Sequence, residues 1–114
     1  MEQFDITTGN HLRTLDNPNV FGTTNNDNFG KSLSSSGNYL AVGTADEDSS
    51  LGNGRGVVYV YDVTDGSLVY TASNPTPETY DFMGKPVSMS GGTLLTVAKQ
   101  GDPAEAYVWT APLL

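Results

Sequence analysis

Four short runs between residues 28 and 72 either alternate apolar and polar positions or are continuously apolar, and this pattern predicts a small antiparallel sheet. The runs KSLSSS, YLAVG, VVYVYDV and SLVYTA have the period of two, or the β-branched and aromatic content, that is typical of strands. Turn residues separate them, with Ser-Gly-Asn at 36–38 and Thr-Asp-Gly at 64–66. We therefore expect strands near residues 31–36, 39–43, 57–63 and 67–72. One sheet of this size buries too little apolar surface to be stable alone, so it requires a neighbour.

The same pattern recurs along the chain, so that two similar repeats fill it. The segment FDITTGNHLRTLDNP matches YDVTDGSLVYTASNP at a spacing of 57 residues, and NFGKSLSSSGNYLAV matches FMGKPVSMSGGTLLT at a spacing of 54. Tyr59 and Val60 match Tyr107 and Val108 at a spacing of 48. Chance rarely reproduces turn and strand positions together, which indicates an internal repeat. Further strands are expected near residues 85–90, 93–98 and 105–110.

Composition and charge narrow the class of protein. The 114 residues, 37% of them hydrophobic, fit one compact domain over residues 1–114. Without cysteine there is no disulfide framework and no thiolate metal site. A net charge of −8 repels phosphate backbones and argues against nucleic-acid binding. The chain shows no signal-peptide pattern and no apolar run of membrane-spanning length, so we expect no membrane insertion.

The residues that open and close these runs resemble the FG-GAP-type repeats of β-propellers, a class that includes the integrin head. Phe-Gly opens the first strand, Ser-Gly forms the first turn, Val-Gly ends the second strand, and an Asp…Gly hairpin follows the third. The positions that define the predicted blades are Phe29, Gly30, Gly37, Gly43, Asp62, Gly66, Gly84 and Gly91. The second copy departs from the pattern at Met83 and Ala98. More narrowly, DITTGNHLRTLDNPN followed by NFGKSLSSSGNYLAVG looks like tandem repeats of virion-associated and surface proteins of marine bacteria and their phages.

The resemblance implies an all-β chain of two propeller blades, each of four antiparallel strands, that closes into a ring by oligomerisation. The first blade is expected at about 28–75 and the second at 82–114. An N-terminal strand at 9–15, supplied by a neighbouring subunit, is expected to complete the second blade. A head-to-tail homotrimer is favoured and a tetramer is possible, because both reach the roughly 4–8 blades of closed propellers.

Candidate sites are few. Many members of the family bind calcium between the first and second strands, but the corresponding loop here carries no carboxylate. Asp46, Glu47 and Asp48 could hold a cation, although contiguous acids point in different directions and a solvated loop is the favoured interpretation. The single histidine, His11, falls in a predicted strand, and no nucleophile motif is present. We therefore predict no metal, no cofactor and no catalytic residue, and expect a protein that is not an enzyme.

Two classes of function remain open. The first is a structural or decoration protein located in a virion, with other virion or surface proteins as partners. The second is a glycan-binding adhesin or lectin, extracellular or on a cell surface, with sites between the blades. The candidate ligand or interface residues are Tyr59, Tyr61, Tyr107 and Trp109, for which packing is favoured over sugar stacking.

Overall fold

The computed structural model describes residues 1–18, 29–30, 32–44, 56–73, 84, 86–98 and 105–109. Within them the chain forms nine strands and no helix, and every strand pair is antiparallel. In chain order the strands are β1 Glu2–Phe4, β2 His11–Thr14, β3 Ser32–Ser36, β4 Tyr39–Thr44, β5 Val57–Asp62, β6 Ser67–Ser73, β7 Val87–Ser90, β8 Thr93–Ala98 and β9 Glu105–Trp109. The all-β prediction is confirmed. None of the described segments is a helix that could cross a membrane.

The strands form three sheets, with the orders β1-β2, β3-β4-β5-β6 and β7-β8-β9. The four-stranded sheet is the one predicted from the four runs between residues 28 and 72. Two-residue turns join β3 to β4 and β7 to β8, and they begin at Gly37 and Gly91, whose φ values are 58° and 56°. Such turns need a residue that adopts positive φ without strain. The strands of the four-stranded and three-stranded sheets differ from their predicted bounds by two residues at most.

The N-terminal segment differs from its prediction, which was a lone fourth strand at 9–15. The structure shows a hairpin, because β2 pairs with β1 of the same chain through Glu2 and Thr14. The repeat explains this pairing, since Phe4 corresponds to Tyr61 at the end of β5, so the hairpin reproduces a third and a fourth strand. It is tied to the four-stranded sheet by the Arg13 guanidinium, which donates to the Val63 carbonyl oxygen at 2.6 Å.

The four-stranded sheet is covered on both faces, and its central strands β4 and β5 are therefore apolar on both sides. On one face lies the three-stranded sheet, and the shared buried cluster consists of Ala41, Val58, Val60, Ala72, Val87, Met89 and Leu94. On the other face lies the end of the N-terminal hairpin, and the buried cluster consists of Leu15, Val42, Val57, Tyr59 and Tyr61. The expectation that a single small sheet must stack on neighbours is confirmed.

Candidate interaction surface

The turn that follows β5 has a copy in the N-terminal hairpin. The Asp62 carboxylate accepts hydrogen bonds from the Thr64 amide at 2.9 Å and from its hydroxyl at 2.5 Å. Asp5 accepts the same two bonds from Thr7 at 2.8 and 2.6 Å. Gly66 closes the first of these turns with a φ of 79°, and its amide donates to the Asp62 carbonyl oxygen at 2.8 Å. The same geometry at corresponding positions confirms the internal repeat and gives these residues a structural role.

His11 lies on β2 and is exposed, as expected for a strand side chain. Its Nε2 atom is 2.9 Å from a Glu2 carboxylate oxygen, and its ring meets Phe4 edge to face at a centroid distance of 5.2 Å. The Thr14 hydroxyl donates to the same Glu2 oxygen at 2.8 Å. This hydrogen bond, followed by the contacts of His11, holds the pKa of the Glu2 carboxyl below its ordinary value. The histidine therefore stabilises a hairpin surface.

Two of the four candidate aromatic residues are core residues. Tyr59 and Tyr61 are only 5% and 4% exposed. The ring of Phe29 lies 6.3 Å from Tyr59 and 6.4 Å from Tyr61, measured between centroids. The Tyr61 hydroxyl donates to the Asp16 carbonyl oxygen at 3.2 Å. Phe29 and the two tyrosines thus pack together beside β5. The tyrosine rings present no exposed face on which a sugar could stack.

Other candidates fall outside the described residues. The acidic loop with Asp46, Glu47 and Asp48 is one of them, and the side chains of Tyr107 and Trp109 are the others, although the backbone of both belongs to β9. Among the residues that are described, no three His, Cys, Asp or Glu side chains come together as a metal site would require.

The two larger sheets touch at backbone level where Gly43 meets Gly84. A Cβ atom on Gly43 would lie 1.9 Å from the Gly84 carbonyl oxygen, a distance that no side chain allows. Gly84 has a φ of 105°, and its amide donates to the Thr96 hydroxyl at 3.0 Å. Gly30 opens the first repeat with a φ of 87°, but the nearest atom to a Cβ there is a flexible side-chain carbon at 3.6 Å. Gly43 is therefore required for close approach, and Gly84 and Gly30 for their positive φ.

Alternate serines of β3 bind the open edge of β7. Each serine Oγ accepts a hydrogen bond from a backbone amide 55 residues further along the chain, so the two strands keep in step. The pairs, at 3.0, 2.9 and 2.8 Å, are Ser32 with the Val87 amide, Ser34 with the Met89 amide and Ser36 with the Gly91 amide. We call this contact the serine–amide ladder. It gives partners to the donors that an edge strand would otherwise leave open.

The second repeat carries a similar surface that no described residue covers. Ser88 and Ser90 are exposed, and beside them Leu95 and Val108 are 42% and 57% exposed. We call these four residues the exposed face. Their counterparts in the first repeat are Ser34, Ser36, Ala41 and Val60. Both apolar counterparts are completely buried against the second repeat.

Sequence reasoning assigned both serine-containing runs to strands and missed the ladder. The available signal was the two-residue step of serines shared by KSLSSS and KPVSMS. That step marks a repeated requirement for hydroxyl groups on one side of the first strand.

Comparison with known proteins supports the repeat. A family model described as FG-GAP repeat matches residues 22–61, a segment that contains β3, β4 and nearly all of β5. The resemblance inferred from the Phe-Gly, Ser-Gly and Val-Gly positions is thereby confirmed for this segment. No significant match is found among curated proteins or among solved structures.

Proposed function

We propose that this chain is a non-enzymatic structural or decoration component of a virus particle, built as a propeller-like oligomer. The propeller-like architecture is supported by the family model for the FG-GAP repeat that matches residues 22–61. In this proposal the two repeats are blades, at about 28–75 and 82–114. The observation that carries it is the way the second repeat stacks on the first, face to face and in step through the serine–amide ladder. Radial repetition of small sheets of this kind is the architecture of propellers.

The assembly is a head-to-tail ring, with a trimer favoured over a tetramer. A rotation that divides the circle closes a head-to-tail contact into a ring, and three or four copies of two blades reach the roughly 4–8 blades of closed propellers. The position of Leu15 agrees with a stack that continues beyond the first repeat, since Leu15 packs on the face of that repeat opposite to the second repeat. In a ring that face meets the second repeat of a neighbouring copy.

The virion setting rests on the resemblance of the two repeat segments to tandem repeats of virion-associated and surface proteins. A structural role also agrees with how the chain uses its chemically versatile side chains. His11 pairs with Glu2 on a hairpin surface, and Tyr59 and Tyr61 are packed in the core. The exposed face is neutral, while the whole chain carries a net charge of −8. A net charge of this size makes copies of the chain repel one another, so specific contacts are expected at neutral patches.

Two measurements test this function. Antibodies against the chain, used with immunogold electron microscopy, should label the surface of particles released from the source culture. Labelling confined to cell surfaces would contradict the proposal. The complete chain, applied to a glycan array, should show no reproducible binding. Reproducible binding that is lost on Trp109→Ala would favour the adhesin or lectin.

A further inference from the structure

We propose that the exposed face of the second repeat binds the open edge of β3 in a second copy of this chain, by continuing the serine–amide ladder between molecules. The inference deepens the function proposed above and rests on its assembly, because it names the atoms that join one subunit to the next. The argument depends on three features of the described residues: free donors on β3, free acceptors on β7, and matching apolar neighbours.

The donors follow from the register of β3. Ser36 pairs with Tyr39 across a two-residue turn, so the even-numbered residues of β3 direct their amides towards β4. The amides of Leu33, Ser35 and Gly37 therefore point away from β4, outward from the open edge of the sheet. The same rule applied to β7 gives the ladder donors that the structure shows, which are Val87, Met89 and Gly91.

The acceptors are Ser88 and Ser90. They are exposed, lie two residues apart, and correspond to the ladder serines Ser34 and Ser36. If β3 of a second copy takes the place that β7 takes within the chain, the Ser35 amide meets the Ser88 hydroxyl. The Gly37 amide then meets the Ser90 hydroxyl. The second copy is the natural occupant because it carries the donors at the required spacing.

Apolar side chains complement these bonds. Leu33 is 49% exposed, whereas its counterpart Val87 is 8% exposed because it packs against the first repeat. In the proposed contact Leu33 packs on Leu95 and Val108, just as Val87 packs in the cluster that contains their counterparts. All of these side chains are uncharged. The contact therefore brings two acidic molecules together without burying a carboxylate.

Two differences between the repeats should make the contact between molecules less tight near Pro86 and Val97 than the contact within the chain. Pro86 stands where the first repeat has Ser32, so the Leu33 amide meets no hydroxyl. Val97 stands where Gly43 allows the close approach of Gly84. The ladder between copies therefore has two bonds where the ladder within the chain has three. We expect association to be reversible and to be strengthened by Pro86→Ser.

Disulfide trapping tests the geometry, because the chain has no cysteine of its own. One copy carries Ser88→Cys, and a differently tagged copy carries Ser35→Cys. Under mild oxidation the mixed disulfide should be the main product, since a head-to-tail contact brings these two positions together and neither position meets itself. The matched control replaces the second copy with Thr71→Cys, an exposed position on β6, and should give little mixed product.

Three trapping results would overturn the contact. They are a predominance of either like-with-like disulfide, a mixed yield equal to that of the control, and no disulfide at all. Efficient trapping together with reproducible glycan binding would overturn the structural role proposed above and leave this contact standing. The two failures are therefore distinguishable.

Sedimentation velocity of the complete chain tests the hydrogen bonds. Ser88→Ala combined with Ser90→Ala should weaken association and raise the dissociation constant by roughly tenfold. Pro86→Ser should strengthen association and lower the dissociation constant by roughly two- to tenfold. Thr71→Ala should leave it unchanged. An unaltered constant in the double variant would overturn the ladder between copies while the oligomer itself stands. A monomer at every concentration would overturn both.

Discussion

The two repeats have the same strand pattern and differ in what covers their faces. In the first repeat, β4 and β5 are buried on both sides, between the second repeat and the end of the N-terminal hairpin. In the second repeat, Leu94 is completely buried, whereas its neighbour Leu95 on the opposite side is 42% exposed. An apolar position in a repeat thus belongs to the core where the next repeat is in the same chain. In the assembly proposed above, the exposed counterpart is a docking surface for another copy of the chain.

The repeats also differ at the positions where they touch. The first repeat offers Gly43 to the backbone of Gly84. In the second repeat the strand register places Val97, and not Ala98 as expected from the sequence, at the corresponding position. The second repeat uses Thr96 to bind the Gly84 amide and the Pro86 carbonyl oxygen, and the first has Val42 there. Each repeat is therefore adapted to the side on which its partner lies, and substitutions at corresponding positions should have unequal effects.

The largest effect is expected at Gly43. Gly43→Ala places a Cβ within 1.9 Å of a backbone oxygen, so the two sheets must separate. We expect the free energy of unfolding to fall by about 3 kcal/mol, measured by urea denaturation. Val97→Ala at the corresponding position is the control and should cost about 1 kcal/mol. Equal losses in the two variants would show that the repeats do not touch at this glycine.

Thr96 should come next. Thr96→Val removes the hydroxyl that accepts from the Gly84 amide and donates to the Pro86 carbonyl oxygen at 2.9 Å, and it leaves a buried donor without a partner. The expected loss of unfolding free energy is about 2 kcal/mol. Thr44→Val is a matched control, since the Thr44 hydroxyl is buried and has no hydrogen-bond partner among the described residues. Its unfolding midpoint should stay the same or rise, and a drop equal to that of Thr96→Val would contradict the assignment.

At the serine–amide ladder, the loss of unfolding free energy should differ less between substitutions at equivalent serines of the two repeats. Ser34→Ala removes the acceptor of the Met89 amide and should cost about 1 kcal/mol of unfolding free energy. Ser88→Ala changes an exposed hydroxyl and should have almost no effect on the unfolding of the monomer. Urea denaturation at a concentration below that of self-association makes the comparison. The ladder would be refuted if Ser34→Ala were as mild as Ser88→Ala.

The smallest effect is a loosening of the N-terminal hairpin in acid. The hydroxyl and then the amide of Thr7 donate to Asp5 and hold the pKa of its carboxyl below the ordinary value. A lowered folded-state pKa means that the contribution to stability is complete above the unfolded value of about 4 and is lost as the pH falls through the folded value. Amide hydrogen exchange at Gly9, which donates to the Asp5 carbonyl oxygen, should speed up over this range.

Asp5→Asn is the matched variant for the acid test, because it keeps an acceptor and does not titrate. Its Gly9 exchange, corrected for the intrinsic dependence on pH, should be flat below pH 4 or so. The same acid response in both proteins would mean that another group loosens the hairpin.

Much of the fold is readable from the sequence, because strands and turns have local causes. The run VVYVY predicts β5, and the Asp62 turn is predicted by its Asp, Thr and Gly residues. The strand β1 was missed because three residues of EQF carry no period and form a strand only by pairing with β2. The ladder was missed because serines in a half-buried strand look the same whether their hydroxyls meet water or the amides of another sheet. Contacts between sheets depend on their relative placement, which local pattern does not specify.

The oligomeric mass in solution tests the central claim most directly. Light scattering coupled to size-exclusion chromatography should give a folded species of about 36 kDa for a trimer of this 12.1 kDa chain, or about 48 kDa for a tetramer. Ser88→Ala combined with Ser90→Ala should shift the mass towards that of the monomer. A stable folded monomer at every concentration would contradict a ring built by head-to-tail contact between repeats. A dimer whose mass does not increase with protein concentration would contradict it as well.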